Sequence, residues 1–213
     1  MAYGHYILRT GGGLVGEFEN VLGAFFYQSR FAGRSPVLDL APGRCWFARQ
    51  NPAAILAVDN SPELVDHYSR TGINIRLGDA YELPVAENHL EGVFCCWLLE
   101  HLSDPQRALS EIYRVLRADG YALVIVPTPH DMNTFYDDYT HLRPFTPTSL
   151  KQLAEDAGFT RHRELFFPFT RGAMHVLRYF GPKAAMKYLR FSDRVLRRVG
   201  IVNRNNLMLE AWK

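Results

Sequence analysis

Three aspartates stand where three short apolar runs end: Asp39 in PVLDLA, Asp59 in AAILAVD and Asp79 in INIRLGD. Asp59 follows Asp39 by 20 residues, across a turn that reads Ala41-Pro42-Gly43-Arg44-Cys45-Trp46. An acid at about that distance beyond a glycine-containing turn is placed to accept hydrogen bonds from ribose hydroxyls. An acid after the third run can take an adenine amino group, with the next backbone N–H, that of Ala80, meeting a ring nitrogen. A single aspartate after a strand also serves as a helix cap. Three in order at successive strand ends point to an adenosine-containing ligand.

Histidine is the side chain whose unperturbed pKa suits proton transfer near neutrality, and two stand out by position. His101 follows a fourth apolar run in WLLEHLSDP, beside Glu100. His141 lies in FYDDYTHLRPFTP, a segment that also carries Tyr136, Asp137, Asp138, Tyr139 and Arg143. Loops on a rigid scaffold concentrate function, so His141 and His101 are the catalytic candidates. Tyr136, Asp138, Tyr139 and Arg143 are the acceptor-binding ones. Asp137, Asp138 and His141, with His130 and Asp131 upstream, offer metal-type donors in no standard ligand spacing, and no metal site is expected.

Positioning these residues requires a scaffold that ends several strands side by side. EGVFCCWLL is apolar without a break, as a strand covered on both faces should be, and YALVIVPT gives a fifth strand. Between them SDPQRALSEIYRVLRADG reads as a helix capped by Asp104, with Pro105 at its first position and Gly120 at its exit turn. TPTSLKQLAEDAGF repeats the pattern with Thr146, Pro147 and Gly158. Strands alternating with helices give a mostly parallel α/β sheet with helices on both faces. Its ligands bind outside the carboxyl ends of the strands. A sixth strand is expected near 163–169 and the last in NLMLEAWK.

The segments outside this alternation divide the chain into an N-terminal lid or helix, 1–34, and a main domain, 35–213. Tyr3, His5 and Tyr6 of the lid are placed to close over a cofactor. A basic helical insertion at about 170–204 precedes the last strand. From Arg171 to Arg204 there are nine Lys or Arg and one acid, Asp193, so this segment carries +8 of a net +2 and the remainder carries −6. Lys183, Lys187, Arg190, Arg194 and Arg197 step by four and three, as one helical stripe. Across 182–199 that stripe suits an anionic lipid surface or a phosphate group. Nucleic acid is disfavoured, because a second basic patch and a base-stacking cluster are missing. The three cysteines show no metal or disulfide spacing, no run of eighteen apolar residues is present, and the N-terminus lacks a secretory pattern. A cytoplasmic protein is expected, one that the basic helix can bring to the inner face of the membrane. Oligomeric state is not legible.

The turn at 41–46 lacks the third glycine of a dinucleotide fingerprint, and Trp46 fills the place of a pyrophosphate contact, which argues against NAD. Asp39 through Gly43, Asp59, the Gly78-Asp79-Ala80 triplet and VFCCWLLEHLSDPQRALSEIYRVLRADGYALVIVPT together resemble the successive motifs of class I S-adenosylmethionine-dependent methyltransferases. Within that class the resemblance is to the branch acting on small molecules and saccharides. It spans about residues 35 to 165 and is most specific from Trp97 to Pro127. The THLRPFT segment is similar to segments of saccharide methyltransferases. The resemblance implies a Rossmann-like, seven-stranded sheet with a reversed final hairpin. It also implies O-methylation of a small-molecule or saccharide acceptor, with S-adenosylhomocysteine as second product. By position, the Asp39–Cys45 turn, with Ala41 and Gly43, would pass the methionine portion. Asp59 would hold the ribose, Asn60 would lie beside adenine with Asp79 and Ala80, and Trp97 would lie next to the sulfonium. The family favours glycine at 41 and 45. Pro42 biases Ala41 toward an extended conformation, in which its methyl group is tolerated. The rival readings are an RNA methyltransferase and a non-catalytic binder of the cofactor.

Overall fold

The apolar runs become one seven-stranded sheet in the order β3-β2-β1-β4-β5-β7-β6. The computed structural model describes residues 12–168, 170 and 172–213. Strands β1 (Val37–Leu40), β2 (Ile55–Asp59), β3 (Ile75–Leu77), β4 (Leu90–Cys96) and β5 (Leu116–Pro127) run parallel. β7 (Val202–Trp212) is antiparallel to both of its neighbours, β5 and β6 (Arg161–Pro168). Strand order reverses between β1 and β4, which opens a crevice at their carboxyl ends.

Alternation along the central strands feeds two cores. Phe94 of β4 and Leu123 and Ile125 of β5 face one cluster, which includes Phe25, Phe26, Phe31, Phe47 and Leu189. Val93, Cys95 and Val124 face the other, with Leu109, Ile112 and Leu150. The first layer is covered by α1 (Gly13–Phe26) packed on α6 (Ala173–Phe191), the second by α3 (Pro105–Val115) on α5 (Pro147–Asp156). α2 (Pro62–Ser69) follows β2, and α4 (Met132–Tyr136) is a short helix after β5. Within the stretch read as a lid, α1 buries Phe25 and Phe26 under the sheet. Tyr3, His5 and Tyr6 lie outside the described residues.

Local signals place the helix starts. Asp104 Oδ1 accepts from Arg107 N at 3.0 Å, and Thr146 forms a capping box with Ser149. Gly158 ends α5 with φ +103°. Gly120, expected at the exit of α3, does not end it. The helix stops at Val115, and Leu116 already pairs with Leu90 of β4.

The basic insertion departs from the single stripe expected of it. Gly181, with φ 78°, breaks the helical path inside α6, and a π-helical turn at Ser192–Leu196 shifts the phase of the residues after it. A π-turn holds more residues than an α-turn, so a four-three spacing no longer tracks one face. Arg197 therefore turns inward and pairs with Asp193. Asp193 also takes Arg30, and Arg30 bridges to the fully buried Glu210 of β7 at 2.7 Å. The insertion is thus fastened through its acid, Asp193, and Arg30 to the π-helical turn at Tyr27–Phe31 and to the sheet. Among the described residues, no helix is long and apolar enough to cross a membrane.

Candidate active site

The turn after β1 keeps a backbone suited to glycine with only one glycine in it. Ala41, Gly43 and Cys45 have φ of 54°, 53° and 55°. The extended conformation expected for Ala41 is not adopted. Ala41 N continues the sheet ladder to Val58 O at 2.8 Å, and the chain must then reverse within a few residues so that Cys45 N reaches Pro42 O, also at 2.8 Å. Left-handed backbone at alternate positions achieves that reversal and overrides the local bias from Pro42. Each side chain held this way costs about 1 kcal/mol. The surroundings enforce it. Ala48 N donates to Asp39 Oδ2 at 3.0 Å, Gln50 Nε2 donates to Trp46 O at 2.9 Å, and Arg44 is gripped by Glu19 of α1. Ala41→Gly is therefore expected to stabilise the fold by about 1 kcal/mol, read as a raised denaturant midpoint. An unchanged or lowered midpoint would mean that contacts of the methyl group outweigh the strain.

A cavity of about 370 Å³ opens over this turn at the switch between β1 and β4. Asp39, Ala41, Gly43, Asp59, Asn60 and Trp97 line it, and so do Glu19, Trp46, Leu98 and His101. Asp79 and Ala80 are not among its lining residues. Asp79 is exposed, and its carboxylate accepts from Tyr81 N at 2.9 Å. A Cβ built on Gly43 would meet nothing within 4 Å, so this backbone is open to a ligand. Trp46 packs edge-on against Phe94 and near Trp97, and so walls the cavity with apolar surface. Its one arginine, Arg44, is already paired with Glu19, leaving two carboxyls, Asp39 and Asp59. Burial raises both, Asp39 to about 8 despite the Ala48 N–H. Among the described residues, a pyrophosphate would find no unneutralised arginine or lysine in this lining. A ligand carrying a positive centre and an apolar body fits the lining.

Trp97 has φ 55°, a rare conformation for a bulky side chain of the kind that collects at ligand sites. Its indole Nε1 donates to Asn206 Oδ1 at 2.9 Å. Beyond it lies a second cavity of about 370 Å³, lined by Glu100, His101, Thr128, Asp131, Asp138, His141 and the β7 amides Asn203, Asn205 and Asn206. Of the residues expected to bind an acceptor, only Asp138 reaches it. Tyr136 and Tyr139 are 60% and 91% exposed, and Arg143 donates to Ser103 O at 3.1 Å. The three asparagines were not anticipated. Their cluster in VNRNNLM was the one available signal, and its place beside β5 follows only from the reversed hairpin.

The two catalytic candidates come together. The rings of His101 and His141 lie 4.6 Å apart, although 40 residues separate them in the chain. Thr140 Oγ1 gives its hydrogen to Asp138 Oδ1 at 2.6 Å and so accepts from His101 Nδ1 at 2.9 Å. His141 Nδ1 meets the Phe135 carbonyl at 2.6 Å and must therefore donate to it. Both imidazoles are fixed as the Nδ1–H tautomer, with the lone pair on Nε2. Burial, followed by the neighbouring His141, lowers the His101 pKa, so the ring is neutral near pH 7. Glu100 is 1% exposed, and among the described residues neither carboxylate oxygen has a hydrogen-bond partner. Burial pushes its pKa to about 8. Leu142 N donates to Glu100 O at 2.8 Å, which ties the His141 loop to the end of β4.

Residues 38–124 match the methyltransferase domain family. That match takes in the sheet from β1 into β5 and covers less than half of the chain, which over this stretch is similar to methyltransferase domains. Over 113 residues the chain is 33% identical to a ubiquinone/menaquinone biosynthesis C-methyltransferase of Desulfotalea psychrophila, covering 49% of this chain and 46% of that protein. It is 28% identical over 152 residues to an arsenite methyltransferase of Halobacterium salinarum, covering 61% and 39%. The matched segment thus spans less than half the length of either curated relative. Among solved structures, a SAM-dependent methyltransferase from Archaeoglobus fulgidus superposes with a TM-score of 0.68 at 21% identity, covering 92% of this chain and 94% of that one. A phosphoethanolamine N-methyltransferase of Haemonchus contortus in complex with S-adenosylhomocysteine gives 0.61 at 15%, covering 100% and 61%. These structural likenesses are of fold.

Proposed function

We propose that the chain transfers a methyl group from S-adenosylmethionine to a hydroxyl of a small, polar, saccharide-type acceptor and leaves S-adenosylhomocysteine. The observation that carries this reading is the pairing of two unlike cavities across Trp97 and His101. One is partly apolar and holds two carboxyls beside a neutralised arginine, which suits a sulfonium and an ammonium on an apolar nucleoside. The other is lined by amides, carboxyls and a threonine, which can hydrogen-bond several hydroxyls at once. Asp59 is assigned to the ribose hydroxyls, Asn60 to the adenine side, the Asp39–Cys45 turn to the methionine portion and Trp97 to the sulfonium. In the transfer, an oxygen lone pair of the acceptor forms the new O–CH₃ bond. The S–CH₃ pair returns to sulfur, and the hydroxyl proton leaves. Much of the rate comes from holding oxygen, methyl and sulfur in line. We assign the acceptance of that proton to His101, which lines both cavities, and to His141 beside it in the second cavity.

Calorimetry with S-adenosylhomocysteine tests the cofactor half. Binding in the micromolar range is expected. Affinity should rise as pH rises toward about 8, because the ligand's α-ammonium favours ionised Asp39 and the unliganded protein holds that carboxyl protonated up to about 8. The same linkage predicts proton release on binding, seen as a heat that changes with buffer ionisation enthalpy. No binding at about 1 mM ligand would leave a fold without this function. Transfer of labelled methyl to a panel of hydroxylated acceptors and to RNA separates the saccharide reading from its nucleic-acid rival.

A further inference from the structure

We propose that Glu100, His101 and His141 form a binding site for a first-row divalent cation, set in the wall between the cofactor cavity and the acceptor cavity. One ligand atom from each of the three lies within 4.8 Å of the other two. Such a group can close around a single ion. The proposal rests on three features of the site besides that distance. First, the Glu100 side chain is nine-tenths or more buried and both its oxygens are unpartnered among the described residues. A buried carboxyl without partners is costly, and a cation would supply what the protein does not. Second, the Nδ1 atoms of both histidines are committed to oxygen acceptors, Thr140 Oγ1 and the Phe135 carbonyl. That arrangement fixes the ring orientations and keeps the lone pairs on Nε2, as hydrogen bonds behind metal-bound imidazoles do. Third, the donor set is two imidazoles and one carboxylate, a borderline set suited to manganese, cobalt or zinc more than to magnesium or calcium.

The site deepens the proposed methyl transfer and rests on that reading for its role. Glu100, His101 and His141 all line the acceptor cavity, and His101 also lines the cofactor cavity. A cation held there would contact an acceptor hydroxyl and lower its pKa. The hydroxyl proton would pass to water, the oxygen pair would attack the methyl carbon, and the S–CH₃ pair would return to sulfur. The histidines would then act as ligands and not as proton acceptors.

The test uses the full chain and binding readouts that do not depend on turnover. Titration with Mn²⁺ followed by electron paramagnetic resonance is expected to show one tight site per chain. Co²⁺ is expected to give visible d–d bands of nitrogen ligation. Glu100→Gln, which keeps shape and removes the charge, should weaken Mn²⁺ binding about 100-fold, and His141→Ala should remove the Co²⁺ bands. The proposal is overturned if wild type binds neither ion at about 1 mM, or if Glu100→Gln, folded as judged by its thermal melt, binds Mn²⁺ as tightly as wild type. S-adenosylhomocysteine calorimetry on the same samples separates the two readings. Cofactor binding without cation binding removes only the cation site, and the converse removes only the methyl-transfer reading.

Discussion

Replacing Gly23 by alanine is expected to destabilise the protein by about 3 kcal/mol and to weaken S-adenosylhomocysteine binding along with it. Gly23 lies inside α1, where alanine would ordinarily favour the helix by about 1 kcal/mol. Here the helix axis passes directly over the turn that follows β1. A Cβ at position 23 would lie 2.2 Å from the Trp46 carbonyl oxygen and 3.0 Å from Gln50 Nε2. The nearer atom is backbone, so no rotamer change relieves the clash. Either α1 lifts away from the core it shares with Phe25 and Phe26, or the turn bearing Ala41, Gly43 and Cys45 is pushed toward the cavity. Each outcome disturbs the Glu19–Arg44 pair that joins helix to turn. Denaturant unfolding and ligand calorimetry on the same variant read both effects. A loss below about 1 kcal/mol with unchanged affinity would show that α1 slides without moving the turn.

The second large effect is expected at Asp59. It ends β2 at 9% exposure, lines the cofactor cavity, and accepts from Ser61 N at 2.9 Å with one oxygen. If its carboxylate holds the two ribose hydroxyls, Asp59→Ala removes two charge-assisted hydrogen bonds of about 1.5–3 kcal/mol each. Affinity for S-adenosylhomocysteine should then fall by about 100-fold to 1000-fold or more. Asp59→Asn keeps an acceptor for Ser61 N and loses the charge, so its affinity should lie between those of wild type and Asp59→Ala. Fold stability should change little by comparison, because relief of carboxylate burial offsets the lost Ser61 contact. Equal affinity in wild type and Asp59→Ala would take the ribose assignment away from this residue.

What could be read from the sequence was what local chemistry decides. β-Branched runs located the strands, Asp104 and Thr146 marked helix starts, and the spacing of Asp39 and Asp59 pointed to the crevice they now line. What could not be read was set by contacts between distant segments. Pro42 argues for an extended Ala41, but the sheet ladder, the Asp39–Ala48 bond and the press of α1 impose the left-handed form. By propensity alone Gly23 is a weak point in a helix, and only its neighbour across the core gives it a purpose. Glu100, His101 and His141 match no ligand spacing because their grouping depends on a loop returning to the end of β4. Arg197 read as one more exposed cation, since nothing in the residue pattern announced a π-turn before it.

Among the described residues, only Trp97 and His101 line both cavities. Two chambers that meet at so narrow a partition can be filled together, and neither occupant has to vacate for the other to arrive. In the proposed transfer the methyl group then needs no resting place on the protein between donor and acceptor. On this architecture the proposed transfer would run through a ternary complex with a single displacement, inverting the configuration at the migrating carbon once.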